Sequence, residues 1–189
     1  MRQPARRNYS LDDYYDVELY SELKYEYFDG EIFAMAGGST PHNLISGSLF
    51  LSLGNALRGT SCAPFGSDQR VYAPSGLYSY PDASAFCYPH ETEVPPPGTL
   101  TNAVALFEVL SDATRDYDKG AKFELYRSIP TLRDYVLIEQ SEMRVEHRSC
   151  GEDGNWTTKM LVAPDEVLEI VKLGFRVELR EIYERVSFD

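Results

Sequence analysis

"AVALFEVLSDATRDYDKGAKFELYRSIPTLRDYVLIE", residues 103–139, is the stretch on which the fold turns. An apolar run opens it, a helix-period segment over residues 115–128 follows, and a second apolar run closes it over residues 132–139. Strand, helix and strand in that order make a β-α-β unit, which puts the chain in the α/β class. On the first strand Val104, Leu106 and Leu110 share one face, and Ala105, Phe107 and Val109 share the other. Both faces are apolar, so the strand is expected to be central and covered on each side. Glu108 breaks the pattern on the first face. An ionised carboxylate buried there without a partner costs several kcal/mol or retains its proton. The sequence therefore calls for a cation beside Glu108, or for a strand end open to water.

One candidate cation lies on the helix just downstream. Asp118, Lys122 and Tyr126 recur every four residues and form one stripe. From that stripe Lys122 can fold back toward the strand, where it would orient or deprotonate a water and stabilise charge on a phosphate. A second acid in strand-like surroundings is Asp82, in YSYPDASAF over residues 78–86. Pro81 removes a backbone donor just before it, so this strand begins, bulges or lies at an edge there. Two carboxylates converging from adjacent strands repel unless a hard divalent cation sits between them. Mg²⁺ or Mn²⁺, held by carboxylate oxygens, a carbonyl and waters, resolves that conflict. Taken singly, each residue also has a plain structural reading: Asp82 as a turn-former, Glu108 as a satisfied strand-end residue, Lys122 as a surface lysine paired with Asp118. Their order along the chain favours a site.

Outward from this unit the elements follow from local signals. Ser10 reads as the cap of a helix over residues 11–20, and Asp29-Gly30 as the two-residue turn of a hairpin. Thr40 can cap a longer helix, with Pro41 at its first position and Ile45, Leu49, Leu53 and Leu57 on one face. Residues 62–87 read as a meander of short strands, and residues 88–101, with Pro95-Pro96-Pro97-Gly98, as a surface loop. EMRVEHRS and WTTKMLVA pair as an edge hairpin, and the tail reads as a strand followed by a short helix.

Composition limits what the chain can be. Its 189 residues suit one domain spanning 1–189. With 18 Lys and Arg against 30 Asp and Glu, the net charge of -12 opposes loose attraction to a polyanion. Any nucleic-acid partner would need a local basic patch. Cys62, Cys87 and Cys150 are odd in number and far apart, which argues against a disulfide framework and for a reducing compartment. His42, His90 and His147 lack the spacing of a structural zinc site. No apolar run reaches the roughly 18 residues of a membrane span. The Met1–Arg7 segment, with Arg2, Arg6 and Arg7, lacks the apolar core of a signal peptide. A cytoplasmic protein without a membrane partner is expected.

In order and spacing, YEYFDGEIFAMAGGSTPHN, YPDASAF, FEVLSDATRDYDKGAKFELYR, PTLRDYVLIE and LREIYE together resemble the Uma-type family of the PD-(D/E)xK, or restriction-endonuclease-like, nucleases. The resemblance covers nearly the whole chain. It implies a mixed β-sheet of four or five strands flanked by helices, with an added C-terminal β-hairpin. It carries over Asp82 and Glu108 as metal ligands, the main-chain carbonyl of Val109 as a third, and Mg²⁺ or Mn²⁺ as cofactor. Where the superfamily motif has its lysine two residues after the acid, this chain has Leu110. The lysine is expected to have migrated to the following helix as Lys122, with Lys119 as its competitor. Glu26 and His42 are also marked by the family pattern. A solvated hairpin glutamate is the alternative for Glu26, and a neutral histidine hydrogen-bonded at a helix N-terminus is the alternative for His42. The implied activity is metal-dependent hydrolysis of DNA phosphodiester bonds. The alternative is a catalytically silent nucleic-acid-binding or regulatory module on the same fold. A homodimer follows by analogy with two-fold restriction enzymes. Arg58, Arg70, Arg115 and Lys119 are the candidates for the basic patch, against a solvated mixed-charge face.

Overall fold

The computed structural model describes residues 8–35, 37–92 and 98–188. The Pro95-Pro96-Pro97 segment and the arginines Arg2, Arg6 and Arg7 lie outside them. Helix α1 (Leu11–Tyr20) begins at a reciprocal cap: the Asp13 N–H donates to Ser10 Oγ at 3.1 Å and the Ser10 N–H to Asp13 Oδ2 at 2.8 Å. Strands β1 (Tyr25–Phe28) and β2 (Glu31–Ala34) form the expected hairpin, with Asp29 and Gly30 both at positive φ. Helix α2 (Thr40–Leu57) is capped by Ser39 rather than Thr40. Ser39 is the last extended residue, and its hydroxyl accepts the His42 N–H at 3.2 Å. The apolar stripe Ile45, Leu49, Leu53 and Leu57 is buried as the periodicity requires. Each such leucine contributes about 1.5–3 kcal/mol by leaving water.

Four short strands follow: β3 (Cys62–Gly66), β4 (Val71–Ala73), β5 (Leu77–Ser79) and β6 (Ala83–Cys87). They do not form one meander. β4 and β5 pair with each other and rise to join β1, giving a four-stranded sheet in the order β2-β1-β5-β4. β3 and β6 pair directly across the gap, with Cys62 opposite Cys87. The division lets Val71, Ala73 and Leu77 pack down on Phe86, Leu106 and Leu110. Contrary to the expectation of reduced cysteines, that register joins Cys62 and Cys87 in a disulfide although they are 25 residues apart, and Cys150 is the free thiol.

The β-α-β unit forms as read. β7 (Ala103–Leu110) and β8 (Asp134–Glu139) run parallel, Glu108 opposite Leu137, with the crossover on one face. The crossover is two helices, α3 (Arg115–Lys119) and α4 (Ala121–Tyr126), because Gly120 leaves the helical region at φ -108°, ψ -99°. β9 (Val145–Cys150) and β10 (Trp156–Leu161) add the edge hairpin, completing a mixed six-stranded sheet in the order β10-β9-β8-β7-β6-β3. A bulge shifts the register between Ala85 and Phe86, and Val104 consequently packs with Ala105, Phe107 and Val109 instead of with Leu106. The tail, read as strand then helix, is the C-terminal hairpin of β11 (Val167–Ile170) and β12 (Phe175–Glu178) before a single turn, α5 (Leu179–Ile182). Gly174, at φ 63°, makes the bend between the strands.

The six-stranded sheet is covered on both faces, as β7 predicted. α2, the C-terminal hairpin and α5 bury one face; the β4–β5 hairpin and α4 bury the other. No helix among the described residues is long and apolar enough to cross a membrane.

Candidate active site

The site begins where one strand stops and its neighbour continues. β6 pairs with β7 only as far as Ala83 opposite Phe107, while β7 runs on to Leu110. The strand cannot extend backward in the ladder through Pro81, which has no N–H. The Val109 N–H on that edge of β7 would be left bare, and it donates instead to Asp82 Oδ2 at 2.7 Å. In a strand the N–H and C=O of one residue leave the same edge, so the Val109 carbonyl faces the Asp82 side as well. Asp82 Oδ1 lies 3.2 Å from Nε2 of His42, which the first turn of α2 brings in. The pKa of His42 is raised, against the direction in which a helix N-terminus pushes it. The hydrogen bond to Asp82 is the main cause, opposed by partial burial and aided by the charges of Asp82 and Asp118.

Glu108 is 5% exposed, on the face shared with Leu106 and Leu110. The cation that its position calls for is Lys122: Nζ lies 2.9 Å from Glu108 Oε1, 2.8 Å from Glu26 Oε1 and 3.4 Å from Asp118 Oδ1. The contact with Glu26 is an ion pair that lacks hydrogen-bond alignment. The helix break at Gly120 lies between Asp118 and Lys122. Beyond it Lys122 and Tyr126 face the strand, while Asp118 stays within reach. Tyr126, fully buried, donates its hydroxyl to Glu108 Oε1 at 3.0 Å and lies 2.8 Å from Ser79 Oγ.

Burial and charge then compete. Desolvation pushes the Glu108 carboxyl well above the usual range; Lys122 opposes this, while Asp118, Asp82 and Glu26 reinforce it. Burial alone would lower Lys122, but the carboxylates of Glu108, Glu26 and Asp118 outweigh it and raise its pKa above the ordinary lysine value. Asp118 is raised chiefly by burial, against the pull of Lys122.

Five side chains picked from the sequence, Glu26, His42, Asp82, Glu108 and Lys122, thus meet in one place, with the Val109 backbone beside them. Lys119 does not join them: its Nζ lies 2.7 Å from Glu139 Oε1, and Arg115 Nε donates to Glu139 Oε2 at 3.0 Å. Arg70 is held at 2.8 Å by Glu18, and Arg58 is exposed at the end of α2. The candidate residues thus form no single basic patch, and three of the four are paired with carboxylates, as a mixed-charge face would have them. Sequence reasoning missed the hydroxyls of Tyr126 and Ser79. Tyr126 was visible on the helical stripe, but nothing local marks Ser79 as its partner.

Among the described residues no three His, Cys, Asp or Glu side chains form a ready-made metal cluster. The donors nevertheless suit Mg²⁺ or Mn²⁺, which bind through one or two carboxylates and complete their shell with waters and phosphate oxygens. Carboxylates outnumber cations here, and Glu108 Oε1 is taken by Lys122 and Tyr126. Its Oε2 accepts no hydrogen bond among the described residues. Asp82, Glu108 and the Val109 carbonyl are the atoms that would hold the ion.

Known proteins share this architecture and sequence. A crystal structure described as "a putative nuclease belonging to DUF820 from Anabaena variabilis ATCC 29413" superposes with a TM-score of 0.76, covering 94% of this chain and 98% of that one. At 15% identity the likeness is one of fold. The uncharacterized protein slr1290 of Synechocystis sp. (strain ATCC 27184 / PCC 6803 / Kazusa) is 33% identical over 180 residues, 95% of this chain and 93% of that protein. The uncharacterized protein sll1609 of the same strain is 32% identical over 158 residues, 83% of this chain and 89% of that one. The family model described as "Uma2: Putative restriction endonuclease" matches residues 11–180, a span holding β7, its crossover and every residue of the site, and the chain belongs to that family.

Proposed function

We propose that the protein is a metal-dependent endonuclease that hydrolyses phosphodiester bonds in DNA. The convergence of Asp82, Glu108 and Lys122 where β7 outruns β6 carries this reading. Asp82, Glu108 and the Val109 carbonyl hold Mg²⁺ or Mn²⁺. When bound, such an ion lowers the pKa of a coordinated water and polarises a phosphoryl oxygen. Lys122, kept charged by its carboxylates, aligns the attacking water and offsets charge developing on the phosphate. Glu26 and Asp118 fix the Lys122 ammonium beside Glu108. His42, its pKa raised by Asp82, is a proton donor positioned at the edge of the site. Two copies would bring two such sites to a duplex, and a homodimer is the expected form in sedimentation.

A second reading, a non-cutting nucleic-acid-binding module, draws on the charge of -12 and on the capture of Arg70, Arg115 and Lys119 by carboxylates. Incubation with supercoiled DNA, single-stranded DNA and RNA at low salt separates the two. The nuclease nicks or cuts DNA with Mn²⁺, binds without cutting in Ca²⁺, and loses cleavage in Glu108→Ala. Binding without metal-dependent cleavage of all three substrates would establish the module instead. Neither binding nor cleavage would sink both.

A further inference from the structure

We infer that Ser79 and Tyr126 form a hydroxyl relay that fixes the orientation of the Glu108 carboxylate, making Tyr126 a positioning residue of the site. The inference rests on the metal-binding reading above and extends it to groups outside the ligand set.

The direction of the relay follows from proton counting. A phenol carries one proton, and that of Tyr126 points to Glu108 Oε1 at 3.0 Å. The hydroxyl of Ser79, 2.8 Å away, must therefore donate to the Tyr126 oxygen. Both residues are fully buried, so neither hydroxyl can exchange its partner for bulk water. With the Lys122 ammonium ion-paired at 2.9 Å to the same Oε1, that oxygen faces one hydroxyl donor and one cation. Rotating the carboxylate would break both contacts together, and Oε2 is thereby kept as the oxygen for the cation.

The surroundings hold the relay rigid. The Tyr126 ring packs edge-on against Tyr135 at 5.5 Å between centroids, and Tyr135 in turn donates its hydroxyl to the Asp118 carbonyl at 2.9 Å. Ser79 ends β5 three residues before Asp82. The relay thus ties the segment that bears one ligand to the carboxylate of the other. A phenylalanine would fill the same ring volume, so packing gives no reason for the buried hydroxyl; holding Glu108 does.

Calorimetric titration of Mn²⁺ into the wild type, Tyr126→Phe, Ser79→Ala and the double variant tests this, with DNA nicking and melting temperature followed alongside. Removing an outer partner of a metal ligand typically weakens metal binding by about tenfold or more, so Tyr126→Phe is expected to lose about tenfold in Mn²⁺ affinity. Ser79→Ala loses about two- to threefold, and the double variant is no worse than Tyr126→Phe, because the two hydroxyls act in series. A Tyr126→Phe protein that melts earlier but binds Mn²⁺ as the wild type does would reduce Tyr126 to a core residue and overturn the relay. Should Tyr126→Phe not fold, wild-type Mn²⁺ affinity in Ser79→Ala overturns it instead. A wild type that binds no Mn²⁺ removes the metal-binding reading itself, and the relay with it; that failure appears in the wild-type arm alone.

Discussion

Lys122 is only 4% exposed, and an ammonium so placed survives because the carboxylates of Glu108, Glu26 and Asp118 surround it. Removing it leaves those charges buried and uncompensated, so Lys122→Ala is expected to cost about 3–5 kcal/mol in urea unfolding. An unchanged midpoint would mean that the pairs contribute little to the fold. At a temperature where the variant stays folded, DNA cleavage falls by about two orders of magnitude, while Lys119→Ala retains it. The reverse pattern would move the role to Lys119. These residues were legible because each violates its context: Glu108 interrupts a two-faced apolar strand, and Asp82 follows a proline in a strand-like run. Tyr126 violates nothing, since an aromatic residue on a helical stripe reads as core. Its polar role depends on Ser79, 47 residues away, and no local pattern encodes such a pairing. The alternative reading of His42 leaned on the helix dipole, a fraction of a charge, whereas the hydrogen bond to Asp82, 3.2 Å away, sets the upward direction of its shift.

Within elements, the interruption at Gly120 separates the two lysines: Lys119 ends α3 against Glu139, and Lys122 on α4 enters the site. A Cβ at this glycine would sit 2.9 Å from the Asp116 carbonyl oxygen, a backbone atom that cannot move aside cheaply. Gly120→Ala should therefore destabilise by about 1–3 kcal/mol in urea unfolding and depress cleavage more than its stability loss alone explains, by displacing Lys122. Wild-type stability and rate in that variant would show that one continuous helix serves equally well. The sequence displayed the helical period over residues 115–128 but not the break, because glycine lowers helix propensity without dictating where the chain turns. The capped α1 and the stripe of α2 were readable because they rest on contacts within a few residues, and the β-α-β unit because two unbroken apolar runs flank a helical period, an order that itself dictates the parallel pairing of β7 with β8. The division of residues 62–87 between two sheets, and the Cys62–Cys87 pairing that follows from it, depend on long-range register, which short strands with weak alternation do not specify.

For the whole molecule, the charge of -12 opposes a polyanion, and among the described residues Arg70, Arg115 and Lys119, three of the four candidates for a basic patch, are taken up by carboxylates. Few phosphates are then neutralised on binding, and a plot of log affinity for duplex DNA against log salt is expected to have a slope of about -1 to -3. A slope steeper than about -6 would reveal an extensive basic surface that the ion pairs argue against. On the proposed function, a divalent cation held at the site would bring acidic protein and acidic substrate together. The most direct test is the rate of nicking of supercoiled DNA at low salt as Mn²⁺ is titrated, for the wild type and for Asp82→Asn. A saturable, Mn²⁺-dependent rate in the wild type, lowered by about two orders of magnitude or more in Asp82→Asn, is the predicted result. Nicking that is independent of metal, or equal in the two proteins, would contradict a metal-dependent nuclease centred on Asp82 and Glu108.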